Sequence, residues 1–99
     1  MTHEKIQQDI RLLAQNIIDK ALHKTMMVAL AESCTGGMVA AALTDISGSS
    51  AVLDRGFVTY SNHAKIDILG VKNTILDQHG AVSEQTARAM VDGLSLIHI

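Results

Sequence analysis

The sequence predicts an α/β fold built on a parallel sheet, and three features carry that reading. The run Thr25-Met26-Met27-Val28-Ala29-Leu30-Ala31 is apolar on both faces and too short for a buried helix, which fits an interior strand covered on both sides. Almost at once it gives way to Gly-Gly-Met-Val-Ala-Ala-Ala-Leu (36–43), whose small residues let a helix lie close against the strand it leaves. The same order of strand, tight turn and helix then recurs around Tyr60.

Taken in order, the first element is an amphipathic helix. Ile6, Ile10, Leu13, Ile17 and Ala21 follow helical spacing, and Ala14, Ile18 and Leu22 widen the stripe. Thr2 is its N-cap and Glu4 suits its first turn. Lys20, His23 and Lys24 place positive charge where the helix dipole favours it, so the helix stops just before the first strand. After the small-residue helix, Thr-Asp-Ile-Ser-Gly-Ser-Ser (44–50) is a cluster of turn formers. Phe57, Val58, Thr59 and Tyr60 then form the end of a second strand. Ser61 or Asn62 caps a helix over Ala64–Leu69, and Gly70 ends it in the left-handed conformation that glycine adopts cheaply. Asn73 caps a short helix closed by Gly80. Ser83 caps a last one, with Glu84 in its first turn.

Composition narrows the function. A formal net charge of -2 and 47% hydrophobic residues describe one small globular unit and exclude both a disordered tail and a basic nucleic-acid binder. One Phe, one Tyr and no Trp leave no stacking platform for bases, so no direct nucleic-acid partner is expected. The longest strongly apolar stretch, Met26 to Ala31, is far too short to cross a bilayer, no membrane partner is expected, and the polar start reads as that of a cytoplasmic protein. The single Cys34 forms no internal disulfide, and the five scattered histidines, at 3, 23, 63, 79 and 98, show no spacing for a metal. No proline or low-complexity linker divides the chain, so no internal domain boundary is expected.

Two polar clusters could carry chemistry. Glu32-Ser33-Cys34-Thr35-Gly36-Gly37 lies between strand and helix, at the carboxyl edge of the sheet, where α/β proteins place ligands. Gly36 and Gly37 let backbone amides approach a phosphate or an oxyanion, and Ser33, Cys34 and Thr35 supply nucleophilic or hydrogen-bonding atoms. The same turn serves equally well as a helix cap with a glycine turn. The second cluster, Tyr60-Ser61-Asn62-His63-Ala64-Lys65, ends the next strand. If the two strands are parallel neighbours, both clusters face one crevice and Lys65 can reach Ser33. A lysine in a poorly solvated pocket has a lowered pKa, and its neutral amine can then accept a serine proton. The alternative for Lys65 is a solvated surface charge. Glu32 orients Lys65, orients the turn, or pairs with Arg55. Cys34 is expected to pack against the strand as a small apolar residue, and His63 to point outward.

These residues carry a resemblance. Glu-Ser-Cys-Thr-Gly-Gly (32–37), the stretch from Thr44 to Lys65, Leu-Gly-Val (69–71) and His-Gly-Ala-Val-Ser-Glu (79–84) resemble the CinA C-terminal domain and its stand-alone relatives, the PncC-type nicotinamide-nucleotide amidohydrolases. The similarity runs almost without gaps from about Ala31 to about Met90. It implies a three-layer α/β/α sandwich, incomplete in this chain. It implies hydrolysis of the carboxamide of nicotinamide mononucleotide to nicotinate mononucleotide and ammonia, with no metal and no cofactor, by a homodimer. Position by position, it makes Ser33 the nucleophile, Lys65 the general base and Tyr60 a supporting group. Backbone amides from Thr35 to Gly37 are candidates for binding an oxyanion or phosphate, and Thr35, Ser49, Ser50 and Asn62 for further substrate contact. The competing reading is a non-catalytic nucleotide-binding or protein-interaction module.

The ending departs from that pattern. Relatives continue through another strand and a glycine-rich loop that helps form the same pocket. Here a helix through Met90 and Val91 is expected to give way to Gly-Leu-Ser-Leu-Ile-His-Ile. Residues 1–92 therefore read as the N-terminal part of such a domain and 93–99 as a tail outside the family pattern, with little or no activity expected of the chain alone.

Overall fold

A computed structural model describes residues 2–97. The elements run α1 (His3–Lys24), β1 (Val28–Glu32), α2 (Met38–Thr44), a 3-10 turn (Ser49–Ala51), β2 (Leu53–Val58), α3 (Asn62–Leu69), α4 (Asn73–His79) and α5 (Glu84–Ile97). β1 pairs with β2, the only sheet among the described residues. The Val28 amide bonds the Val52 carbonyl at 2.7 Å and the Thr59 amide bonds the Glu32 carbonyl at 2.8 Å. Both strands advance in the same direction between those bonds, so the pair is parallel and the chain is α/β.

The chain divides into two compact units, one of residues 2–29 and 38–55, the other of 30–37 and 56–97. Both strands pass from one unit to the other in mid-course, after Ala29 and after Arg55. The division thus follows no linker, and the absence of proline or a polar hinge could not reveal it.

In the first unit α1 packs on α2. The buried side chains are Ala14, Ile18 and Ala21 from the α1 stripe with Leu43, Ile46 and Val52. Thr2 accepts the Lys5 amide at 3.1 Å as the N-cap. At the other end the Thr25 amide bonds the Leu22 carbonyl at 3.3 Å and the Met26 amide bonds Ala21 at 2.9 Å, the two bonds of a Schellman motif. Thr25 holds the left-handed position of that motif, at φ 54° and ψ 47°. Arg11 and Asp45 pair at 2.6 Å, but both are largely exposed, so the pair is worth less than about 1 kcal/mol.

In the second unit α5 packs on α3 and α4, around Leu69, Val71, Leu76, Met90 and Leu94. Ser61 caps α3, accepting the Ala64 amide at 3.0 Å, and Gly70 closes it at φ 67°. Asn73 does not cap α4; it is the first helical residue, and Lys72 occupies the cap position with no side-chain bond. Before α5, the Ser83 hydroxyl donates to the Gly80 carbonyl and accepts the Thr86 amide at 3.1 Å, while the fully buried Thr86 donates to Gly80 at 2.6 Å.

α5 differs most from the sequence expectation. It does not stop before Gly93 but runs to Ile97, with Gly93 and Leu94 buried. Gly93 is a packing residue rather than a stop: a Cβ there would lie 1.8 Å from the Leu69 carbonyl oxygen, so α5 touches the end of α3 backbone to backbone. His98 and Ile99 lie outside the described residues, so the expected tail is described only as far as Ile97. No helix among the described residues is long and apolar enough to cross a membrane.

Candidate active site

The second unit contains both polar clusters named above, because β1 and β2 both end in it. β1 ends on Glu32, which the strand directs inward and which is 4% exposed. The chain then turns at once. The Gly36 amide bonds the Ser33 carbonyl at 2.9 Å, with Gly36 at φ 63° and Gly37 at φ 112°, both outside the range that side chains favour. Inside the turn the Glu32 carboxylate collects two donors on one oxygen: Thr35 Oγ1 donates to Oε2 at 2.7 Å and the Gly37 amide to the same atom at 3.0 Å. Ser33 is half-buried beside this anchored segment.

The end of β2 is built around a lysine. Lys65 sits one turn into α3 and is 1% exposed. Its Nζ donates to the carbonyl oxygens of Thr59 and Tyr60, both at 3.0 Å, and of Ser61 at 3.4 Å. The alternative of a solvated surface charge is thereby excluded. Three acceptors match the three donors of an ammonium group. Thr59 is fully buried and connects the two clusters, since its amide bonds the carbonyl of Glu32, the residue before Ser33, while its own carbonyl receives Lys65. Ser33 and Lys65 therefore belong to adjacent strand ends of one unit. Among the described residues no hydrogen bond joins them directly.

The other sequence candidates are distributed as follows. The Tyr60 side chain is 70% exposed, and only its carbonyl engages Lys65. Asn62 and His63 are exposed at the start of α3. Of the amides from Thr35 to Gly37, those of Gly36 and Gly37 are already bonded within the turn. Among the described residues, the amides of Cys34 and Thr35 remain without an acceptor. Ser49 and Ser50 belong to the first unit, where the Ser49 hydroxyl donates to the Thr44 carbonyl at 3.3 Å and Ser50 is exposed.

Two side chains depart from expectation. Cys34 does not pack against the strand but is exposed, because the turn begins at Ser33 and strand alternation no longer directs residue 34 inward. Arg55 pairs with its neighbour Asp54 at 2.7 Å. Sequence reasoning missed Thr59, which it treated as a strand former only; its parity with the half-buried Phe57 was the available signal.

The family profile described as the CinA C-terminal domain matches residues 10–97. The nicotinamide-nucleotide amidohydrolase PncC of Enterobacter agglomerans is 59% identical over 71 residues, which are 72% of this chain and 43% of that protein. A CinA-like protein of Syntrophus aciditrophicus is also 59% identical over 71 residues, 17% of its length. Among solved structures, the competence/damage-inducible protein CihA of Agrobacterium tumefaciens superposes with a TM-score of 0.80 at 58% identity, covering 86% of this chain and 52% of that one. The competence damage-inducible protein A of Klebsiella pneumoniae superposes with a TM-score of 0.82 at 36% identity, covering 90% and 56%. The chain thus spans about half the length of the solved relatives and less of the curated ones.

Proposed function

The chain belongs to the CinA C-terminal domain family, and on that premise we propose that it carries the Ser–Lys half of a nicotinamide-nucleotide amidohydrolase site. The observation that carries the reading is the buried Lys65 amino nitrogen, held at the end of β2 next to the strand end from which Ser33 projects. The substrate is nicotinamide mononucleotide, in keeping with the name of the 59%-identical PncC relative.

In the proposed reaction Ser33 Oγ attacks the carboxamide carbon as the Lys65 amine takes the hydroxyl proton. The carbon–nitrogen bond breaks, and ammonia departs with that proton, leaving an acyl-serine. Water attacks the ester, gives a proton to Lys65, and releases nicotinate mononucleotide as Ser33 recovers its proton. For Lys65 to serve as the base, one of its carbonyl partners must yield to the serine hydroxyl. Ser61, at 3.4 Å, is the most weakly held of the three. The amides of Cys34 and Thr35 are the donors assigned to the oxyanion, with Tyr60 assigned as the supporting group and Asn62 to substrate contact. A cytoplasmic setting suits the exposed free thiol of Cys34.

The test is ammonia release from nicotinamide mononucleotide by this chain, by the chain extended through a family second half, and by Ser33→Ala and Lys65→Met in both forms. Because the chain spans 43% of the amidohydrolase it matches, we expect the extended form to be the faster. Full activity of the extended Ser33→Ala/Lys65→Met double variant would end the reading. The carbonyl cage around Lys65 also favours a second reading, a nucleotide-binding module in which the lysine only braces the loop. Calorimetric binding of the nucleotide without turnover by the extended form would select it.

A further inference from the structure

Glu32 is the buried acid nearest in sequence to the assigned nucleophile, and the reaction written above gives it no step. Its position answers the question of what it does. The carboxylate lies below the turn it precedes, and a single oxygen, Oε2, receives both the Thr35 hydroxyl at 2.7 Å and the Gly37 amide at 3.0 Å. Those bonds span three and five residues, so they tie the start of the turn to its middle and its end. The bond from the Gly36 amide to the Ser33 carbonyl closes the segment from within. Between the anchored points stand Ser33, Cys34 and the amides of Cys34 and Thr35, which are the groups left to face a ligand.

We propose that Glu32, with Thr35 as its partner, is a positioning residue that fixes the Ser33 turn. Its carboxylate takes the Gly37 amide and the Thr35 hydroxyl out of contention, leaving the amides of Cys34 and Thr35 as the turn's donors to a developing oxyanion. Thr35 accordingly acts through its hydroxyl on Glu32 rather than on substrate. The inference rests on the amidohydrolase reading for its chemical consequence, but its structural content is independent of turnover. Charge-assisted hydrogen bonds of this kind are the strong ones, and a buried carboxylate leaves its donors unsatisfied when removed. Loss of the anchor should therefore loosen the turn locally.

The chain provides its own reporters. Gly37 carries the anchored amide, and Cys34 is the single cysteine, exposed at the centre of the turn. Hydrogen exchange at the Gly37 amide and the rate of Cys34 alkylation by iodoacetamide are measured on the full chain for Glu32→Ala, Thr35→Val, Thr35→Ser and the Glu32→Ala/Thr35→Val pair. Cooperative unfolding is recorded for each. Glu32→Ala is expected to speed Gly37 exchange about tenfold and to raise Cys34 alkylation. Thr35→Val should do the same to a smaller degree, Thr35→Ser should behave as the parent, and Thr35→Val should add nothing once Glu32 is gone. In the extended enzyme Glu32→Ala and Thr35→Val should lower kcat with KM retained, and Thr35→Ser should leave kcat as in the parent.

The proposal is overturned if folded Glu32→Ala leaves both reporters unchanged, or if the two substitutions add fully. Should Glu32→Ala fail to fold, the contrast between Thr35→Val and Thr35→Ser decides: equal behaviour of the two overturns it. An anchored turn in a parent enzyme that releases no ammonia would sink the amidohydrolase reading and leave this one standing.

Discussion

The Nζ of Lys65 lies 3.0 Å from the carbonyl oxygen of Thr59, and the Thr59 amide in turn holds the Glu32 carbonyl at 2.8 Å. The lysine and the serine-bearing turn are therefore braced against one buried threonine at the ends of two parallel strands. Replacing Lys65 with methionine keeps the unbranched stem as far as Cε but removes Nζ, leaving the carbonyls of Thr59, Tyr60 and Ser61 without their donor. We expect Lys65→Met to cost about 1–3 kcal/mol of stability and, on the proposed function, to abolish ammonia release by the extended enzyme. Urea unfolding followed alongside the ammonia assay checks both; an unchanged urea midpoint would mean that the carbonyls find other partners.

Ser33 should behave differently. Its backbone carbonyl, not its hydroxyl, closes the turn with the Gly36 amide at 2.9 Å. Ser33→Ala is expected to leave stability within about 0.5 kcal/mol of the parent while eliminating turnover in the extended enzyme. A large loss of stability would assign the hydroxyl a structural role.

Thr25 offers a stabilising change. A β-branched residue in the left-handed region is strained by roughly 1–2 kcal/mol, and the Schellman bonds around Thr25 keep it there. Thr25→Gly removes the Cβ that causes the strain and should raise the stability of α1 by about 1 kcal/mol. Thermal unfolding at a fixed chain concentration measures it, and a lower melting temperature would contradict the assignment.

Local rules make much of this molecule legible in its sequence. α1 follows from its stripe and from the cap at Thr2, α3 from Ser61 and Gly70, and β1 from an apolar run that no helix of that length could bury alone. The placement of the candidate residues was legible in part for the same reason: Ser33 and Lys65 flank strand ends, and strand ends are set by local pattern. What escaped depends on partners distant in sequence. Glu32 had three plausible roles, and the bonds to Thr35 and Gly37 that show one of them could not be read from sequence. Thr59 looks like any strand residue until it is seen between Glu32 and Lys65. Ser49 and Ser50 read as loop residues near a site, yet Ser49 is committed to Thr44 within the first unit. Gly93 resembles a helix stop because glycine lowers helix propensity, and only a neighbouring backbone turns that weakness into a requirement.

That requirement gives the sharpest stability prediction. Glycine inside a helix ordinarily costs about 0.5–1 kcal/mol relative to alanine, so Gly93→Ala in an isolated α5 would be stabilising. In the folded chain the new Cβ would meet the Leu69 carbonyl oxygen at 1.8 Å and its carbonyl carbon at 2.8 Å. Both are backbone atoms, so no rotamer change relieves the clash; α5 must move away from α3. Overpacking of this kind costs about 1–3 kcal/mol and at times more, which outweighs the gain in helix propensity. We expect Gly93→Ala to lower the urea midpoint of the chain while raising the helicity of a peptide covering residues 84–97. A variant as stable as the parent would show that α5 does not approach α3 this closely.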